Sequence, residues 1–222
     1  MTIRVEYAHQ LQELRGDVVT MASMVDKAIA RAMDALVRQD VAMARQVMAD
    51  DRTINTHRWA TEDRAVMILA TQGPMAGDLR TITGVIHIVT DLERMADHAA
   101  GIAKIVVDTG NEPLLKPLVD VPRMAELGRA MLADSVTAFI EDDAEAARAI
   151  AERDDEVDRL YDQVYRELLT YMMADPGTIN PATHLLWVAH NLERVADRVT
   201  NICERVVFTV TGEMEEINVS TY

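Results

Sequence analysis

The chain has 222 residues, with 22 Lys and Arg against 37 Asp and Glu, giving a formal charge of −15 at pH 7 and an isoelectric point near 4.7. So acidic a protein lacks the basic footprint that a nucleic-acid backbone demands, and no apolar run approaches the ~18–20 residues needed to span a bilayer. Hydrophobic residues make up 49% but aromatics only 4%, and there are only 9 glycines, a composition that favours helices over sheets.

In chain order, the first segment steps its apolar residues by three and four: Leu11, Leu14, Val18, Met21, Val25, Ala28 and Ala32. That spacing predicts a helix over 5–38 with one buried stripe. Asp40 follows, placed to cap a second helix over 41–72, and "GPMAG" at 73–77 breaks it. A third helix over 77–109 carries the stripe Val85, Val89, Leu92, Ala96, Ala99, Ala103 and Val106. The Pro-rich stretch "GNEPLLKPLVDVP" at 110–122 reads as a linker. Helices are then expected over 121–141, over 143–174 with Asp143 as cap, and, after "DPGTINP", over 179–212. The last of these repeats the packing stripe with Leu185, Ala189, Leu192, Ala196, Val199, Cys203 and Val206. Cys203, the one cysteine, cannot form an intramolecular disulfide and reads as a small core residue, in keeping with a reducing compartment. The N-terminal "MTIRVEYAHQ" has no apolar signal-peptide core, so a soluble cytoplasmic protein is expected.

The two sets of three helices repeat in sequence. Residues 92, 93, 94, 96, 97, 102, 106 and 107 are identical to those one hundred positions later, and "DVAMARQVMADDRTIN" (40–55) aligns with "DAEAARAIAERDDEVD" (143–158) at an offset of 103. The expected fold is all-α: two tandem pseudo-symmetric three-helix bundles, six helices, with residues 1–110 as the first unit and 111–222 as linker and second.

Within the repeat lies an unusual acid pattern. "DLERMADH" and "NLERVADR" place Glu93 beside Asp97 and Glu193 beside Asp197, like charges one helical turn apart, an arrangement that is mildly destabilising alone. An antiparallel hairpin about Pro74 brings Asp51 level with Asp97 and Asn55 level with Glu93. A second hairpin near Asp175 and Pro176 pairs Asp154 with Asp197 and Asp158 with Glu193. Facing acids on bundle helices are oxygen donors for hard cations. The blander alternative is a solvated acidic face with Arg94 and Arg194 offsetting part of the charge.

These residues carry a resemblance. "DLERMADHAAGI", "NLERVADRVTNICERVVF", "LLTYMMADPGTI" and the paired D-x-x-I-N and D-x-x-V-D segments are similar to the PhoU family over nearly the whole chain. The resemblance implies two three-helix bundles and a non-enzymatic regulator of phosphate uptake and phosphate-starvation signalling. Such a protein would link the ATPase subunit of a phosphate ABC transporter to a sensor histidine kinase, repressing starvation genes when phosphate is plentiful. It implies a homodimer, held at the inner face of the membrane through partners without inserting, and metal ions (iron, zinc, manganese or magnesium) on E(D)-x-x-x-D motifs, with no organic cofactor. Carried over, those motifs fall on Glu93/Asp97, Glu193/Asp197 and Asp154/Asp158, whereas Asp51/Asn55 departs by ending in Asn. Two other readings stand beside this one. A ferritin-like dimetal-carboxylate oxidase would carry Glu-x-x-His within its acid clusters, which none of these paired acids does (the one such run, Glu6 to His9, lies outside them), and a metal-free helical adaptor would use its acids to dock basic partners. No P-loop, G-x-G-x-x-G, nucleophile elbow or zinc-type Cys/His set is found.

Overall fold

The computed structural model describes residues 2–110 and 112–217, with side chains from residue 5 onward. Asn111 of the expected linker, and residues 218–222 of the expected second unit, lie outside the described residues. The described chain is helical, with no strand: α1 (Thr2–Arg38), α2 (Val41–Gln72), α3 (Ala76–Thr109), α4 (Asp120–Glu141), α5 (Ala144–Ala151), α6 (Asp154–Ala174), a 3₁₀ turn at Pro176–Thr178, and α7 (Ile179–Thr211). No described helix is long and apolar enough to cross a membrane.

The helix ends are written in the sequence twice. Gln39 and Asp142, 103 positions apart, both adopt the left-handed conformation (φ 55° and 53°) that closes α1 and α4. In each case the next aspartate does two jobs. Its N–H bonds back to Ala35 or Ala138 at 2.9 Å, and its carboxylate accepts the N–H of Met43 or Ala146 at 2.9 Å, capping the next helix.

Helices α1, α2 and α3 pack on one another, as do α4, α5–α6 and α7. The stripes fill the interior: Val85, Val89, Ala99, Ala103, Ala189, Val199, Cys203 and Val206 are buried within one continuous core that runs through both bundles. Burial pushes the Cys203 thiol up to about 12, so it behaves as a small apolar residue. The bundles meet along α3 and α7 and, more narrowly, along α1 and α4. At the second contact Arg129 grips Asp26 with two bonds of 2.6 and 3.0 Å, and Arg15 pairs with Asp142 at 2.8 Å while lying over the Phe139 ring.

The expected single helix over 143–174 is two. Between α5 and α6, Glu152 and Arg153 stay near helical angles, but Arg153 N–H bonds to Ile150 O at 3.0 Å, a three-residue step that tightens the turn. The break starts a new helix at Asp154, Asp155 and Glu156, where free N–H groups and the helix dipole favour three consecutive acids that would repel one another mid-helix. The linker touches both bundles: Leu115 and Leu118 pack against the shared core, Gln39 Nε2 of the first bundle donates to Glu112 O, and buried Lys116 pairs with Glu167 of the second.

Candidate functional site: two acidic boxes beside the central helix pair

Asp51 and Asn55 stand on α2, Glu93 and Asp97 on α3, Asp154 and Asp158 on the first turns of α6, and Glu193 and Asp197 on α7. In the first box, Asp51, Glu93 and Asp97 lie within electrostatic reach of one another. Burial, then the Asp97 charge, raises the Asp51 and Glu93 carboxyls. Two neighbours relieve that repulsion. Asn55 Nδ2 donates to Asp51 Oδ2 at 3.0 Å, and Arg58, a residue the sequence pattern did not single out, places Nη1 2.9 Å from Glu93 Oε1 and Nε 3.0 Å from Glu62 Oε1.

In the second box all four acids act on one another. Burial, reinforced by Asp158, Asp197 and Glu193, pushes Asp154 up to about 7. Burial, with Asp197 next, pushes Glu193 up to about 7 as well. Asp158 and Asp197 are raised too, burial being the larger cause in both, though Arg194 and Arg198 pull Asp197 back. Arg194 Nη1 sits 2.5 Å from Asp197 Oδ2, so this arginine turns onto its own helix. Glu193 is 9% exposed and its Oε2 accepts no hydrogen bond; it faces His190 Nδ1 at 3.6 Å. A cavity of ≈540 Å³ opens beside the box, with Asp154, Asp197, Arg198 and Glu215 among its walls.

His98, next to the first box in sequence, turns away from it. Its Nδ1 lies 3.0 Å from Asn191 Oδ1 across the α3–α7 seam, and Arg198 lies 3.6 Å from Asp91 in the same seam. His57 acts on Asp17 of α1.

The boxes differ in their fit to a metal. The donors are hard oxygens, suited to iron, manganese or magnesium. Among the described residues, however, no three Asp, Glu, His or Cys side chains converge on one point as a metal would require. In the first box Arg58 engages Glu93 and Asn55 engages Asp51 Oδ2, while Asp51 Oδ1 is buried without a hydrogen bond. In the second, Arg194 occupies Asp197, but Glu193 keeps a buried oxygen with no hydrogen bond. The donor chemistry of the second box, with four acids, therefore fits a cation once its carboxylates rotate inward, and that of the first fits less well because Arg58 already sets a positive charge on Glu93.

Comparison with known proteins gives one consistent family. A sequence model described as the PhoU domain matches residues 18–106 and 121–206, one copy in each half. The phosphate-specific transport system accessory protein PhoU homolog of Aquifex aeolicus (strain VF5) is 42% identical over 205 residues, 92% of this chain and 93% of that protein. That of Clostridium acetobutylicum is 35% identical, covering 96% of this chain and 97% of its own. Among solved structures, the phosphate transport system regulatory protein PhoU from Streptococcus pneumoniae superposes with a TM-score of 0.88 at 33% identity, over 94% of this chain and 99% of that one. PhoU from Pseudomonas aeruginosa superposes at 0.89, also 33% identical, over 93% and 100%.

Proposed function

This chain belongs to the PhoU family, and on that premise we propose that it is a non-enzymatic regulator of phosphate uptake and phosphate-starvation signalling. It acts as an adaptor between the ATPase subunit of a phosphate ABC transporter and a sensor histidine kinase, holding starvation genes off when phosphate is plentiful. The supporting observation is the family match in both halves, with relatives named as accessory to a phosphate-specific transport system and aligned over almost their full length. An adaptor needs surface rather than a reaction centre, and two rigid bundles offer long helix faces for that. The protein works in the cytoplasm, as a homodimer, reaching the inner face of the membrane through its partners. Purified protein should therefore retain both the transporter ATPase subunit and the cytoplasmic part of the kinase on an affinity column. Retention of neither would remove the adaptor role.

A second reading concerns the second box. We propose that Asp154, Asp158, Glu193 and Asp197 hold a cation of the iron, zinc, manganese or magnesium class, which would neutralise acids that repel one another when the site is metal-free. Two carboxyls pushed up to about 7 and the unbonded Glu193 Oε2 favour this reading. The first box (Asp51, Asn55, Glu93 and Asp97) binds more weakly or not at all, because Arg58 already provides a positive charge there.

A further inference from the structure

The two halves share a frame, so each position in one has a counterpart in the other. At the offset of 103 in the outer helices and 100 in the inner ones, Arg58 corresponds to Tyr161, Glu62 to Tyr165, Thr90 to His190, and Glu93 to Glu193. In the first half these form a closed polar network. Arg58 bonds Glu93 at 2.9 Å and Glu62 at 3.0 Å, and Thr90 Oγ1 donates to Glu62 at 3.4 Å. In the second half only the glutamate survives. Its internal arginine has been replaced by an aromatic ring, and every other member of the network is now aromatic.

What remains is a helix face with an unmet need beneath it. Glu193 is nine-tenths buried, and its Oε2 accepts no hydrogen bond, an expensive state for a carboxylate oxygen out of water. His190 stands 3.6 Å from that oxygen, and its ring meets Tyr161 (centroids 6.3 Å apart) and the edge of Trp187 (5.7 Å). Trp187 and Tyr165 are large aromatics left 55% and 42% exposed. Tyr165, Leu169 and Met173 then continue the exposed apolar strip along α6 at one-turn spacing.

We propose that this face docks an arginine-bearing amphipathic helix of a protein partner, whose guanidinium bonds Glu193 as Arg58 bonds Glu93 in the first half. A guanidinium fits because it donates in a planar fork to a carboxylate and stacks on aromatic faces, which an ammonium does less well. The apolar strip receives the hydrophobic side of the helix, and the chain's charge of −15 favours a basic partner. This docking belongs to the metal-free protein, because a cation that takes Glu193 Oε2 excludes the guanidinium from it. The inference deepens the adaptor reading, which supplies the protein partner.

The test uses chelator-treated, full-length Trp59→Phe protein, in which Trp187 is the sole tryptophan reporter. The probe is an alanine-based helical peptide of about 15 residues with leucines on one face and one central arginine. A second peptide carries citrulline, the neutral isostere, at that position. The arginine peptide should shift Trp187 emission and bind at least ~10-fold tighter than the citrulline peptide, a difference of about 1.4 kcal/mol. Tyr161→Arg, which builds the first-half network into the second half, should abolish that preference while melting at or above the parent temperature. Glu193→Gln should abolish it too, and decides the matter if Tyr161→Arg does not fold. Equal affinity for the two peptides, or an undiminished arginine preference in Glu193→Gln, overturns the proposal. No other signalling component is present, so such a failure leaves the regulatory reading standing on its own test in cells.

Discussion

Asp91 and Arg198 face each other at 3.6 Å across the α3–α7 seam, and their counterparts one hundred positions away, Asn191 and His98, face each other at 3.0 Å in the same seam. One pseudo-twofold contact is thus written once with charges and once without. The charged copy is largely buried, and Asn201 Nδ2 also donates to Asp91 at 3.4 Å.

Removing one member of the charged pair strands the other. Arg198→Ala should cost on the order of 1–3 kcal/mol in urea unfolding, and His98→Ala less, about 0.5–1.5 kcal/mol. Adding Asp91→Asn to Arg198→Ala should recover part of the loss. A larger cost for His98→Ala would contradict this ranking.

The helix pair also approaches closely at Gly84. A Cβ on Gly84 would meet Thr209 Cγ2 at 2.5 Å, whereas one on Gly16 would meet nothing within 4 Å. Thr209 is buried and its hydroxyl is tied to Val206 O, so it has little room to yield. Gly16→Ala should raise stability by about 0.5–1 kcal/mol through helix propensity, while Gly84→Ala should lower the melting temperature. Calorimetry of the two variants separates them, and equal gains would show that the seam is looser than described.

Metal-free protein should lose stability as pH rises from about 4 to 7. Asp154 and Glu193 are raised to about 7 in the fold from ordinary values of 3.8 and 4.5, so the folded state binds their protons more tightly than the unfolded chain. The stability linked to those protons is fully present below pH 4 and disappears as the pH passes through 7. Asp154→Asn should raise the pH 7.5 melting temperature by about 2–4 °C, on the order of 1 kcal/mol for a chain of this size. It should change the pH 4 value little. A pH-independent effect would mean the acids are not under strain.

Metal content gives the next comparison. Glu193→Gln with Asp197→Asn should lower the metal found by elemental analysis of tag-free protein purified without chelator. Glu93→Gln with Asp97→Asn should lower it less, since Arg58 already compensates the first box. If both double variants keep the parent's content, the boxes are solvated acidic faces.

Much of this was readable from the residues alone. Apolar stripes at helical spacing, aspartates before each second helix and the repeat at offsets of 100 and 103 specify six helices in two bundles, because those signals are local. The facing of Asp51 with Asp97 and of Asp154 with Asp197 followed from hairpin geometry. Arg58 was not singled out because an arginine among charged helix residues looks like ordinary surface. Comparing it with Tyr161 at the same offset would have flagged it. The bend at Glu152–Arg153 escaped because it involves neither Gly nor Pro and keeps helical angles. The pairing of His98 with Asn191 depends on how two bundles dock, which no local pattern records.

Regulation of phosphate signalling is read in the output of a phosphate-starvation reporter in cells grown at high phosphate. Deleting the gene, in a strain with no second copy, should switch the reporter on, and restoring the intact chain should silence it. Reporter output that stays low in the deletion strain would rule out the regulatory role.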